Sequence, residues 1–200
     1  LKITNESNSL LSILGKIFNK KGNTQIVNDS ADGGVLIGEN AEITSNSGDL
    51  NVTNKGNAGI VSSGLIEAKS GNVAIVNEGA NGIDLSAGST TKATGSSSKI
   101  AIKNTSGAVT IGEGAEVTNI SDTNEDNLQI SNTGDKKISI LGKIFNKLGN
   151  TTIADNNAGI KVSTTGSVIT EAGNTLISNL GSEGIDVEGL VHSQRGDITI

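Results

Sequence analysis

The residues of this sequence with the clearest capacity to contact a ligand belong to one string that occurs twice. The nine residues SILGKIFNK occupy positions 12–20 and again 139–147, and they contain the only two phenylalanines of a chain that lacks Trp and Tyr. Alternate side chains of a strand share one face, so the string predicts an outward triplet of Lys, Phe and Lys. We call these triplets the Lys-Phe-Lys stripes: Lys16, Phe18 and Lys20, and then Lys143, Phe145 and Lys147.

The Lys-Phe-Lys stripes have two interpretations. An exposed ring can stack on a sugar while the ammonium groups bind its sulfate or carboxylate, which would make host glycans or receptors partners of the chain. Alternatively, each ring packs against outward apolar neighbours, such as Ile169 beside Phe145, and the lysines are solvated. The sequence favours the second interpretation, because single exposed hydrophobic residues are ordinary features of protein surfaces.

A second recognition motif is Arg195-Gly196-Asp197, which matches an integrin-binding tripeptide. The structural alternative is a tight corner of the fold, because glycine recurs at the equivalent place in earlier repeats and Asp49 also follows such a glycine. In that case only Arg195 distinguishes this corner from the equivalent corners of earlier repeats. The sequence favours the structural interpretation, and it predicts an exposed corner for the tripeptide in either case.

Few residues are available for catalysis. His192 is the only histidine and is expected to point outward, and the absence of Cys and Tyr nearly excludes the nucleophile–base pairs of hydrolases. Asp122, Glu125 and Asp126 could hold Ca²⁺ through oxygen atoms, but the sequence favours an acidic, solvated loop, because the Gly-Gly-x-Gly-x-Asp pattern of calcium-binding β-rolls is missing. The remaining acidic residues are scattered along the chain. We therefore predict no enzyme, no metal site and no cofactor.

The elements that carry these residues are short alternating strands that recur along the chain. The most regular of them has apolar residues two apart, ends in Asn or Asp, and returns about every 25 residues, which is the pattern of a strand with one buried face. These strands end at Asn5, Asn28, Asn54, Asn77, Asn104, Asn132, Asp155 and Asn179. The repeated amides predict a ladder of side-chain hydrogen bonds along the stack.

Two further strand patterns complete each repeat. One begins Gly-Ile, as in Gly82–Leu85, and the other begins Gly-x-Ile or Gly-x-Val, as in Gly64–Ala68. Three strands per repeat with Gly, Asn and Asp at the corners predict an all-β, right-handed parallel β-helix (β-solenoid) of about eight coils. Residues 1–200 are expected to form one such segment, cut in mid-array at both ends. The two copies of the nine-residue string then lie five coils apart.

Composition supports this architecture and limits the partners. The chain has no Pro, which would delete ladder hydrogen bonds in central strands, and its apolar residues are almost all aliphatic. A net charge of −6 disfavours nucleic acid as a partner. No apolar run approaches the roughly 18 residues that span a bilayer, so we predict no membrane insertion.

The cadence of the repeat resembles one known family. The stretch NLGSEGIDVEGLVHSQRGDITI, at positions 179–200, is similar to the repeat regions of filamentous haemagglutinin-like exoproteins, which include the high-molecular-weight adhesins of two-partner secretion systems. The resemblance covers essentially the whole chain and rests on cadence and composition, although the secretion-domain motifs of the family are not recognised here. It implies a β-helical rod that is secreted or displayed at the bacterial surface.

The resemblance also implies partners and a function. It implies an outer-membrane transporter as the partner of the parent protein, and a rod that spaces and displays binding regions for attachment to host cells or surfaces. One alternative is the stalk of a contact-dependent inhibition exoprotein, which would carry a toxic domain elsewhere. A polysaccharide-active β-helix enzyme is a further alternative, and it would require clustered acidic residues along a groove.

Overall fold

The computed structural model describes residues 1–200, which form 25 short strands and no helix. Sheet 1 consists of β1 (Lys2–Asn5), β4 (Thr24–Asn28), β7 (Leu50–Asn54), β10 (Val73–Asn77), β13 (Ile100–Asn104), β16 (Asp126–Asn132), β19 (Asn150–Asp155), β22 (Thr175–Asn179) and β25 (Ile198–Thr199). Sheet 2 consists of β2 (Leu11–Ile13), β5 (Gly34–Ile37), β8 (Gly59–Ser62), β11 (Ile83–Leu85), β14 (Val109–Ile111), β17 (Ile138–Ile140), β20 (Gly159–Val162) and β23 (Gly184–Val187). Sheet 3 consists of β3 (Lys16–Asn19), β6 (Glu42–Ser45), β9 (Leu65–Ala68), β12 (Thr90–Ala93), β15 (Glu116–Asn119), β18 (Lys143–Leu148), β21 (Ser167–Ala172) and β24 (Leu190–Ser193).

Neighbouring strands within every sheet are three apart in chain order, so the chain winds through all three sheets once per coil. All of the strand pairs are parallel, and equivalent positions of successive coils face each other: Ile75 lies between Val52 and Ile102. The structure thus confirms a parallel β-solenoid of about eight coils with about 25 residues in each. The two copies of the nine-residue string lie on β3 and β18, five strands apart in sheet 3.

The core is a narrow column of stacked aliphatic side chains. One cluster of 32 buried residues runs through the coils and contains only Ile, Val, Leu and Ala. Both phenylalanines lie outside it, because alternation along β3 and β18 turns Ile17 and Ile144 inward and the rings outward. Burial of aliphatic area at about 25 cal/mol per Å² is the main stabilising contribution in such a column.

The predicted amide ladder is present at the end of sheet 1. The side-chain Nδ2 of each Asn donates to Oδ1 of the Asn one coil later, over 2.7–2.8 Å, from Asn5 to Asn132. The last donor, Asn132, bonds Oδ2 of Asp155 over 2.9 Å. The four Asn residues from Asn28 to Asn104 also donate to a carbonyl of their own turn, which satisfies groups that are buried at these corners.

Glycine is required at corners where successive coils approach closely. A Cβ built on Gly142 would lie 2.4 Å from the carbonyl oxygens of Ala115 and Gly112 in the preceding coil. Gly82 adds a second constraint, because its φ of +80° is unfavourable for residues with a side chain. Backbone contact between coils therefore fixes these positions as glycine.

Ion pairs on the surface join successive coils. Lys16 and Glu42 meet over 2.7 Å, and Lys161 lies within 3.1 Å of both Asp186 and Glu188. The pair between Lys137 and Glu183, at 3.1 Å, spans two coils. Each such exposed pair contributes little by itself, since solvent screens it.

A further ion pair, between Lys55 and Asp29, gives a testable prediction about the pKa of Asp29. The hydrogen bond and the charge of Lys55, 2.7 Å away, hold the pKa of Asp29 below its ordinary value. A depressed carboxylate pKa stabilises the fold above the unfolded-state pKa, and this contribution is lost as the pH falls through the folded-state value. Lys55→Met is expected to raise the pKa of Asp29 toward its ordinary value, as measured by NMR titration of the Asp29 carboxyl carbon. The control variant Lys147→Met should leave that titration unchanged.

Candidate ligand-contact surface

The Lys-Phe-Lys stripes lie on the outer face of sheet 3, as the alternation predicts. Phe18 projects from β3, at one edge of the sheet, and is 63% exposed. Phe145 projects from β18 and is only half-buried between Thr118 and Ile169, which flank it in the neighbouring strands. The structure therefore places two chemically identical rings in different surroundings, and it confirms Ile169 as the neighbour of Phe145.

The lysines of the two stripes also differ in their partners. Lys16 forms its ion pair with Glu42, and Lys147 lies 2.8 Å from Asp122, whose hydrogen bond and charge raise the pKa of Lys147. Lys143 lies 5.5 Å from the centre of the Phe145 ring, which is a cation–π distance. In each stripe one lysine is thus neutralised by an acid of an adjacent coil, and one remains without an ion pair.

This arrangement limits what the stripes can do as binding sites. Each stripe offers one ring and one unpaired ammonium group, which is enough for a shallow contact with one anionic sugar residue. The five strand spacings between the stripes correspond to about 24 Å. A long polyanionic chain that lies along sheet 3 could contact both stripes, whereas a single sugar could contact only one.

The Arg-Gly-Asp tripeptide forms part of the corner between sheets 3 and 1. A Cβ on Gly196 would lie 2.1 Å from the carbonyl oxygen of Gly173, so close coil contact explains this glycine. The backbone N–H of Asp197 donates to Oδ1 of Asn174 over 2.9 Å, and its carbonyl accepts from Thr175 N–H. Two of the three residues therefore have structural roles, while Arg195 is exposed.

Asp197 belongs to a second ladder that sequence reasoning missed. A backbone N–H in one coil donates to an Asn or Asp oxygen in the preceding coil, as Asp49 does to Asn23 and Asn174 does to Asn150. The signal in the sequence is an Asn or Asp immediately before β4, β7, β10, β22 and β25, and at the first position of β19. These ladder residues are Asn23, Asp49, Asn72, Asn150, Asn174 and Asp197.

The structure does not bring the acidic residues of positions 119–127 together around one point. Asp122 pairs with Lys147, Glu125 with Lys99 over 2.8 Å, and the side chain of Asn150 donates to Asp126. No group of three His, Cys, Asp or Glu side chains is placed to hold a metal ion. The coil that contains positions 119–127 is longer than most of the others. Its additional residues lengthen β16, which carries a bulge between Asp126 and Leu128. His192 is exposed on β24, as predicted.

Comparisons of the chain with protein-family models, with curated proteins and with solved structures found no match. No helix of the structure has the length and hydrophobicity needed to cross a membrane.

Proposed function

We propose that the chain is a structural rod segment of a large bacterial surface or secreted adhesin of the filamentous haemagglutinin-like type. The rod spaces and displays binding regions for attachment to host cells or other surfaces. An outer-membrane transporter exports the parent protein. The chain itself performs no catalysis, and its mechanism is mechanical.

The observation that carries the proposal is the uninterrupted stacking of coils on one aliphatic column. Each strand hydrogen-bonds only with strands of the adjacent coils, so the length of the molecule grows with coil number, as a spacer requires. The column is filled with small aliphatic side chains and leaves the functional groups on flat outer faces. The cadence of the repeat resembles that of the haemagglutinin-like repeats, and this resemblance supports a location at the bacterial surface.

Surface labelling tests the location and role of this segment. Antibodies raised against the chain are expected to label unpermeabilised cells of the producing bacterium, and deletion of the gene should reduce attachment of those cells. Labelling that appears only after permeabilisation would contradict the proposal, as would normal attachment of the deletion strain. Permeabilised cells stained for a cytoplasmic protein serve as the control.

A glycan array tests whether the rod also binds along its length. We expect a plain spacer, so the chain and its Phe18→Ser/Phe145→Ser variant should both leave an array of sulfated and carboxylated glycans unlabelled. Labelling by the unmodified chain that the double variant loses would assign a binding role to the Lys-Phe-Lys stripes. A Thr90→Ser variant, which changes an outward residue of the same sheet away from both stripes, controls for effects on folding.

A further inference from the structure

The outer face of sheet 1 differs in charge from the rest of the molecule. The chain has 21 Asp and Glu residues, and none of them projects from the middle of this face. Its outward side chains are mostly small and uncharged, with lysines only on β1 and β13. We call this surface face 1; its outward residues are Lys2, Thr4, Gln25, Val27, Asn51, Thr53, Ala74, Val76, Ala101, Lys103, Gln129, Ser131, Thr152, Ala154, Leu176, Ser178 and Thr199.

The acidic residues of this region are confined to the borders of face 1, and Lys2 and Lys103 are the only charged residues that project from the face itself. Asp29, Lys55 and Glu78 follow the ladder asparagines at one border, and Asp49 precedes β7 at the other. On the outer face of sheet 3, by contrast, Glu67 and Lys92 stand in mid-face. Depletion of charge at the centre relative to the rim is one part of the compositional signal of protein interfaces.

We propose that face 1 binds the same face of a second copy of this chain. The face is nine strands long and five residues wide, which at about 4.8 Å per strand and about 3.3 Å per residue gives roughly 700 Å² for each copy. A two-fold axis through β10 overlays only the seven strands from β1 to β19, so the two copies bury roughly 1,100 Å² in total, which is above the about 1,000 Å² that a specific interface needs. A second copy suits the face because a molecule of net charge −6 repels itself least where it carries no acid.

The position of Lys103 excludes a two-fold axis through β13, the central strand of face 1, because the two Lys103 side chains would then oppose each other. An axis through the adjacent strand β10 places Ala74 and Val76, which are short and uncharged, opposite their own equivalents. Lys103, on β13, then faces β7 of the partner copy and lies about 10 Å, or two strand spacings, from the partner's Lys103. This antiparallel pairing is isologous, so it closes as a dimer and does not extend into a filament.

Sedimentation equilibrium tests the proposal directly. The chain is expected to approach twice its monomer mass of 20.2 kDa as its concentration rises. Ala74→Glu places two carboxylates against each other at the axis and should weaken the dimer at least about tenfold. Thr118→Glu introduces the same side chain on sheet 3, and this control should dimerise like the unmodified chain. Circular dichroism of both variants shows whether they remain folded.

Single-cysteine variants provide the second measurement, because the chain has no cysteine of its own. Val76→Cys should be converted to a covalent dimer by a short bis-maleimide reagent, whereas Thr118→Cys should remain monomeric. A monomer at every concentration would overturn the proposal. Equal cross-linking of both variants would also overturn it, as would an association unaffected by Ala74→Glu, which would assign the contact to another surface.

Discussion

Replacement of Asn77 by leucine is expected to destabilise the fold by about 3–5 kcal/mol. Asn77 accepts a hydrogen bond from Asn54 over 2.7 Å and donates to Asn104 over 2.8 Å and to the carbonyl of Gly79 over 2.6 Å. Leucine removes all three bonds and leaves their partners buried without replacements. Each buried polar group without a partner costs about 1–3 kcal/mol, which is more than the gain from the apolar side chain.

Asn51→Leu is the matched control for this substitution. Asn51 lies on the neighbouring strand β7, but it points outward and is half-exposed, so the change should stay within about 0.5 kcal/mol. Guanidinium unfolding followed by circular dichroism measures both variants. If the two substitutions cost the same, the amide ladder contributes nothing specific to stability.

Asp155→Asn is expected to be tolerated, in contrast to substitutions at Asn77. Asp155 accepts from Asn132, Asn157 and Ala158 and has no side-chain hydrogen to donate. An amide at this position has one oxygen, which can accept from both Asn132 and the Asn157 N–H, as Oδ1 of Asn132 accepts from Asn104 and Gly134. Its Nδ2 can then donate to Asn179. Asp155→Leu should destabilise the fold, and comparison of the two variants separates the ladder from packing.

The second large effect is expected for Gly142→Ala, which should cost about 2–3 kcal/mol. The new methyl group would overlap the carbonyl oxygens of Ala115 and Gly112, and both belong to the backbone of a coil held in register on either side. Backbone atoms cannot rotate away as the end of a flexible side chain can. The coils must therefore separate locally, which lengthens the hydrogen bonds between them.

Gly15→Ala is a close control, because Gly15 and Gly142 occupy the same position of the identical nine-residue string. A Cβ on Gly15 meets no atom within 4 Å, and neither glycine has a positive φ. Local conformational preference is therefore the same in both copies, and only the coil contact differs. We expect Gly15→Ala to be neutral or to stabilise the fold by up to about 0.5 kcal/mol through its effect on the unfolded chain. A similar cost at both positions would show that the string itself, and not the coil contact, requires glycine.

The sequence predicts the fold well because every repeat carries the same constraints. The two-residue alternation around Ile75 and the terminal Asn77 recur in coil after coil, and only side-by-side stacking satisfies both patterns at once. Coil number, strand order, the outward direction of Phe18 and the amide ladder were all predictable for this reason. The same logic explains why the inward residues are aliphatic, since a thin column has no room for rings.

The surroundings of the candidate site were less predictable, because they depend on residues about 25 positions away. The string that contains Phe18 and Phe145 is identical in both copies, yet only Phe145 lies between two strands. The partners Glu42 and Asp122 come from different coils and neutralise different lysines of the string. Local sequence patterns give the face of a side chain, while the neighbours of that side chain depend on the long-range register.

The hydrogen bonds of the amide ladder from Asn5 to Asp155 all run in one direction, because each Asn donates to the next member and the Asp155 carboxylate has no hydrogen to donate. A tensile load along the rod would therefore meet unequal resistance. Each earlier pair of corners is joined by an amide hydrogen bond, whereas the corners of Asp155 and Asn179 are not, because Asp155 only accepts. Under tension, separation of coils is expected to begin between the coils of Asp155 and Asn179.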